Sequence, residues 1–261
     1  MQLQQLDILL IEPSSTQHRI IQDWLQELGI TRIQWVQGLR DALDIMSGPI
    51  PDLVISAMHL PDGTGTELVQ QMRESEPLQE TAFILISSET QIRYLEPLRQ
   101  AGVIAILPKP FTRHQLNTCL SATLDYLEPS EIETSHFTAD ELRILLVDDL
   151  GSARKFMRQL LQRMGVEQIE EAENGKQAQS VIDQQFFDLI ITDYNMPEMD
   201  GQELLDYIRQ HSSQPGVPVL MVTSHPDQQR IAALQQSGVS AVFDKPFNVD
   251  SLRTVMQNVL S

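Results

Sequence analysis

The stretch DLIITDYNMPEMDG, residues 188–201, decides the fold. Its apolar, β-branched first half delivers a single carboxylate, Asp193, to the end of a strand, and the Pro/Gly turn behind it stops that strand. Three other runs in the same half end in matching groups. RILLVDD (143–149) stops on Asp148 and Asp149, VPVLMVTS (217–224) on Thr223 and Ser224, and AVFDKPF (241–247) reaches Lys245 before a proline. Segments of helical periodicity separate the runs, so the order β-α-β-α predicts a parallel sheet with helices on both faces. The strands of such a sheet share one C-terminal edge, and ligand sites form there. Three carboxylates, a hydroxyl and an ammonium are therefore expected to converge.

Charge says what that set does. Neighbouring carboxylates repel, and without a cation at least one has a raised pKa. A hard divalent ion relieves the repulsion: Mg²⁺ takes oxygen ligands, keeps several waters and binds through one or two carboxylates plus phosphate oxygens. Zinc needs His or Cys ligands, and none stands at these strand ends. With the acids neutralised, the Asp193 carboxylate is placed to act as a nucleophile toward a phosphoryl group. Lys245 and the Thr223 hydroxyl would stabilise its oxygens.

Taken together, the acid pair, DYNMPEMDG, VTS and DKPF at these intervals make residues 143–260 resemble the receiver domain of bacterial two-component response regulators. The resemblance implies a flavodoxin-like (βα)5 fold, doubly wound, with a five-stranded parallel sheet in the order 2-1-3-4-5. It implies Asp193 as phosphoacceptor, Asp149 and Asp193 as direct Mg²⁺ ligands with the Asn195 backbone carbonyl, and Asp148 acting mainly through water. Thr223 would follow the phosphoryl group, Lys245 would pair with it, and the Lys245–Pro246 bond would be cis. The donor would be a sensor histidine kinase or a phosphotransfer protein, docking near the first helix, where Arg154, Lys155 and Arg158 are expected on the surface and Met157 is a further candidate contact. Many receivers carry Tyr or Phe three residues before the lysine. This chain has Val242 there, with Phe243 beside it, and so departs from the pattern behind the usual Thr–aromatic coupling.

Sliding the sequence by 136 residues, so that Ala57 meets Asp193, superposes residues 7–111 on 143–247 without a gap. Two copies of one domain are expected: 1–128, a linker at 129–141 that is rich in Ser, Thr and acids, and 142–261. The first copy keeps the scaffold and loses the chemistry. Glu12 and Pro13 replace the acid pair, Ala57 replaces Asp193, and Ser87 and Lys109 remain. An alanine methyl accepts no phosphoryl group, so this copy resembles a degenerate pseudo-receiver, with Lys109 expected to pair with Glu12. His59 stands where Asn195 does, but phosphorelay histidines project from helical bundles, so a relay role is disfavoured. His136 in the linker reads as a solvated residue.

The helices support the fold independently. Ala153, Phe156, Met157, Leu160, Leu161 and Met164 line one face, with Ser152 and Gly165 as expected caps, and Ile20, Ile21, Trp24, Leu25 and Leu28 form the matching face before Gly29. A net charge of −18 disfavours direct binding to nucleic acid or anionic membrane. One cysteine, Cys119, allows no intramolecular disulfide, and no apolar stretch approaches a membrane span, so a soluble cytoplasmic protein is expected. No GK[ST] loop is present, and Asn195 replaces the second acid usual in aspartate-nucleophile phosphohydrolases. No DNA-binding, cyclase or kinase motif accompanies the copies. The expectation is a response regulator acting through protein–protein contacts with an unknown downstream protein, and no enzyme beyond self-phosphorylation and autodephosphorylation. A phosphate sink and a scaffold or adaptor remain as alternatives. A homodimer through the fourth helix, fifth strand and fifth helix is a further implication of the resemblance.

Overall fold

The computed structural model describes residues 1–89, 91–132, 138–223, 234, 237–246 and 248–260, apart from the side chains of Ile92 and Arg93. The chain divides into two units, Met1–Glu128 and Pro129–Ser261. In the first, β1 (Ile8–Ile11), α1 (Ser15–Glu27), β2 (Ile33–Val36), α2 (Leu39–Met46) and β3 (Leu53–Ala57) are followed by a small antiparallel hairpin, β4 (His59–Leu60) with β5 (Gly63–Thr64). Then come α3 (Gly65–Glu74), β6 (Ala82–Ser87), α4 (Ile92–Gln100), β7 (Ala105–Pro108) and α5 (Arg113–Leu127). The second unit runs β8 (Arg143–Val147), α6 (Gly151–Arg163), β9 (Gln168–Ala172), α7 (Gly175–Ile182), β10 (Leu189–Asp193), α8 (Gly201–His211), β11 (Val219–Thr223), β12 (Ala241–Asp244) and α9 (Val249–Leu260). The five-stranded sheets are parallel, with orders β2-β1-β3-β6-β7 and β9-β8-β10-β11-β12, which is the expected 2-1-3-4-5 arrangement in each unit.

Burial explains the strand sequences. The inner strands β3, β6, β10 and β11 are covered on both faces, and every residue in them is buried. Their near-continuous aliphatic runs are what a doubly covered parallel sheet demands. The edge strands β2 and β9 alternate or lie half-exposed, which is why polar residues interrupt them.

On α6 the expected stripe is buried, Met164 included. Gly165 takes φ +95° just past the helix, as Gly29 takes +85° after α1, a left-handed turn that favours glycine. Two expectations need correction. Ser152 does not cap α6; the N-cap is Leu150, because the Asp148 side chain accepts from the Leu150 N–H at 2.9 Å and turns the chain earlier. Ile20 is 37% exposed while Ile21 and Leu25 are buried, because at about 100° per residue Ile20 falls about 120° from the line through those two.

The segment read as a linker contributes to the second unit. Ile132 is buried and donates to Met164 O at 3.0 Å, and Ala139–Glu141 form a 3-10 turn ahead of the buried Leu142. Residues 133–137, His136 among them, lie outside the described residues. Among the described residues no helix is long and apolar enough to cross a membrane.

Candidate functional site

The C-terminal edge of the second sheet gathers most of the expected set. Asp148, Asp193, Thr223 and Lys245 are all buried at or just beyond the ends of β8, β10, β11 and β12, and Asp149 is half-buried beside them. Strand register does this: Lys245 N donates to Thr223 O at 2.8 Å and Tyr194 N to Val222 O at 2.9 Å, so neighbouring strands end level. Gly201 opens α8 directly behind Asp193, and a Cβ there would come within 2.5 Å of the Asp193 carbonyl oxygen. The β10–α8 loop turns through Glu198 at φ 66° and is tied to α7 by Gly175 N donating to Met199 O at 3.2 Å. Asn195 lies exposed in that loop, and Ser224 is outside the described residues.

The Lys245 ammonium bridges two acids, at 2.8 Å from Asp148 Oδ2 and 3.1 Å from Asp193 Oδ1. The expected phosphoryl partner of Lys245 is thus represented here by carboxylates. The contact to Asp193 is an ion pair without an aligned hydrogen bond, which leaves Oδ1 buried and undersatisfied. Burial, reinforced by Asp148 and Asp149, outweighs the Lys245 charge and pushes the Asp193 carboxyl up to about 6. Burial and the adjacent Asp148 also raise Asp149. Burial alone would lower the Lys245 ammonium, yet Asp148 and Asp193 hold it above the ordinary lysine value.

These features fit a hard cation. An undersatisfied carboxylate oxygen and two further acids share one edge, all the groups are oxygen donors, and two of them approach a single positive centre within about 3 Å. Among the described residues no three His, Cys, Asp or Glu side chains form a ready-made metal cage. Mg²⁺ does not require one, because it is commonly held by one or two carboxylates and water.

The first unit shows the same edge with different contents. Lys109 Nζ lies 2.9 Å from Glu12 Oε2, as expected, and Glu12 Oε1 accepts from Ser14 N at 3.0 Å. Ala57 and Ser87 are buried, and Lys109 N donates to Ser87 O at 2.7 Å. His59 is exposed in the β4–β5 hairpin. The Asp62 carboxylate clamps that loop to α2 by accepting from Leu39 N at 2.7 Å and Arg40 N at 3.0 Å, and these two backbone bonds hold its pKa below the usual range. Both Lys–Pro bonds, Lys109–Pro110 and Lys245–Pro246, are cis. Val242 and its counterpart Ile106 are each partly buried against the core of their unit.

Arg154 departs from its expected place on the surface. Its side chain is 13% exposed, and Nη1 donates to the backbone oxygen of Asp148 at 2.7 Å. At the repeat offset His18 and Trp35 occupy the positions of Arg154 and Glu171, and in each unit the structure brings the pair together.

A family model described as the response regulator receiver domain matches residues 8–121 and 144–257. Chemotaxis protein CheY-3 of Vibrio cholerae is 33% identical over 118 residues, 45% of this chain and 91% of that protein. Chemotaxis protein CheY of Pseudomonas aeruginosa is 33% identical over 118 residues, 45% of this chain and 95% of its own length. Among solved structures, chemotaxis response regulator CheY4 of Vibrio cholerae is similar at 33% identity, covering 46% of this chain and 98% of that chain with a TM-score of 0.42.

Proposed function

The chain belongs to the response regulator receiver family, with two copies in tandem, and from that premise we propose that the second unit is a phosphorylation switch whose acceptor is Asp193. The observation that carries the reading is the buried, undersatisfied Asp193 carboxylate facing the Lys245 ammonium at the end of β10. A sensor histidine kinase or phosphotransfer protein supplies the phosphoryl group from a phosphohistidine. An Asp193 carboxylate oxygen forms the new bond to phosphorus, the bond from phosphorus to the donor's imidazole nitrogen breaks, and that nitrogen keeps the electron pair. Asp149 and Asp193, with the Asn195 carbonyl, would hold Mg²⁺ directly and Asp148 through water; when bound, the ion neutralises the acids and draws charge from the phosphoryl oxygens. Lys245 moves from carboxylate to phosphoryl oxygen over a short distance, and the Thr223 hydroxyl meets another. The chemistry is confined to gaining and losing this group.

The first unit is proposed as a degenerate copy that takes neither Mg²⁺ nor phosphoryl group, because Ala57 has no oxygen to offer and Lys109 already pairs with Glu12. Output is proposed through contacts with another protein. Aliphatic Val242 at the position of the usual aromatic favours a second reading, a phosphate sink in which the reaction alone matters.

Incubation with acetyl phosphate and Mg²⁺ tests the reading. One hydroxylamine-labile phosphoryl group per chain is expected, lost in Asp193→Ala and retained in Glu12→Ala. Labelling within residues 1–128 refutes the assignment of the first unit. A change in particle size or partner binding on adding beryllofluoride supports the switch, and no change in either supports the sink.

A further inference from the structure

We propose that Arg154 is a positioning residue for the acid pair: its guanidinium fixes the peptide that carries Asp149, and through it sets the affinity for a divalent cation. The inference rests on the reading of Asp148, Asp149 and Asp193 as a cation site. From the first turns of α6, Arg154 makes three charge-assisted bonds: Nη1 to Asp148 O at 2.7 Å, Nε to Glu171 Oε2 at 2.9 Å and Nη2 to Glu173 Oε1 at 3.3 Å. Arg158, one turn on, holds the other Glu171 oxygen at 2.5 Å, so the anchor on β9 is itself fixed. The carbonyl that Arg154 grips belongs to the peptide joining Asp148 to Asp149. Because a peptide is planar, that oxygen, the Asp149 nitrogen and the Asp149 Cα move as one plate. Asp148's carboxylate is held separately, by Leu150 N at 2.9 Å and Lys245 at 2.8 Å.

The first unit grips the same carbonyl with different chemistry. Glu12 O accepts from Trp35 Nε1 at 3.0 Å, and Trp35 stacks on His18 with ring centroids 4.0 Å apart and planes 11° from parallel. At the repeat offset His18 stands for Arg154 and Trp35 for Glu171. The grip is therefore present in both copies, and only the copy with three acids makes it with a cation.

A cation here acts on a bound divalent ion in two opposed ways. Its charge repels the ion, whereas its hydrogen bonds hold the ligands in place. Outer groups that orient metal ligands are typically worth tenfold to a hundredfold in affinity, so positioning is expected to prevail, and the sign of the mutational effect decides. Calorimetric titration of Mg²⁺ into the full chain compares wild type, Arg154→Met, Arg154→Lys and the double variant Arg154→His with Glu171→Trp, which installs the first unit's grip. Arg154→Met should bind Mg²⁺ about tenfold more weakly. Arg154→Lys should recover only part of the loss, since its ammonium can still donate to the Asp148 carbonyl but lacks the fork that ties that grip to Glu171. The double variant should recover toward wild type although it lacks the cation. Equal or tighter binding by Arg154→Met overturns the proposal, as does a double variant no better than Arg154→Met. Where Arg154→Met fails to fold, wild-type affinity in Arg154→Lys overturns it equally. Wild-type protein that binds no Mg²⁺ refutes instead the cation-site reading.

Discussion

Replacing Asp193 with Asn should stabilise the metal-free second unit, and by an amount that depends on pH. The carboxylate is buried at the end of β10, and burial outweighs the help of Lys245, raising its pKa from 3.8 to about 6. A rise of that size corresponds to roughly 3 kcal/mol between the two protonation states. The sign follows from proton counts. Below about pH 4 folded and unfolded chains are both protonated and no penalty exists. Between about pH 4 and 6 the unfolded chain loses its proton first, so stability falls as pH rises, and above about 6 the whole penalty is present. Asn keeps the volume without the charge, so the gain should be near zero at about pH 4 and up to roughly 3 kcal/mol at about pH 7.5, a melting shift on the order of 10 °C. Differential scanning calorimetry in EDTA measures it. Trp24 and Trp35, the only tryptophans, both lie in the first unit, so their fluorescence identifies that unit's transition and leaves the other for the second. Millimolar Mg²⁺ should narrow the gap by stabilising wild type alone. No gain at neutral pH, or an equal gain at both pH values, refutes the claim that a buried charge is the cause.

Lys109→Met should destabilise the first unit by about 2 kcal/mol, because it strands the buried Glu12, while adding Glu12→Gln should restore most of the loss; tryptophan-detected urea melts decide, and a loss below about 0.5 kcal/mol counts against the ion pair. Gly201→Ala should cost more than about 2 kcal/mol and slow phosphorylation, since its methyl would press on the Asp193 carbonyl; wild-type melting and labelling rates would contradict this. Arg73→Met should destabilise its unit by about 3 kcal/mol, because Arg73 donates to the carbonyls of Leu78, Thr81, Ala101 and Gly102 and burial lowers its pKa, whereas Arg209→Met, at a more exposed position, should cost less. Calorimetry of the two variants checks the order.

The sheet order and the meeting of Asp148, Asp193 and Lys245 were legible because both follow from periodicity and from one topological rule: parallel strands end on a common edge, whatever lies between them in sequence. The Lys109–Glu12 pair was legible by the same offset. Contacts that cross elements through a long side chain leave no periodic trace. Arg154 sits among exposed residues of an amphipathic helix, and nothing local distinguishes it from Lys155, which is exposed. Ile20 misleads for the opposite reason: adjacent isoleucines on a helix point about 100° apart, so only one of them reaches the core. Ser152 lost its expected place at the cap to Leu150, because Asp148, which ends the strand, accepts from the Leu150 N–H and starts the helix earlier. The antiparallel hairpin at His59–Leu60 and Gly63–Thr64 was also missed, because its two-residue strands are too short for alternation to register.

The bond from Lys109 to Glu12 has a consequence for how the two halves meet the cell. On the reading of the first unit as a degenerate copy, with Lys109 seated against Glu12 and a methyl at Ala57, its sheet edge should stay indifferent to magnesium and to a phosphodonor. On that reading the unit is a clock with stopped hands joined to a running one.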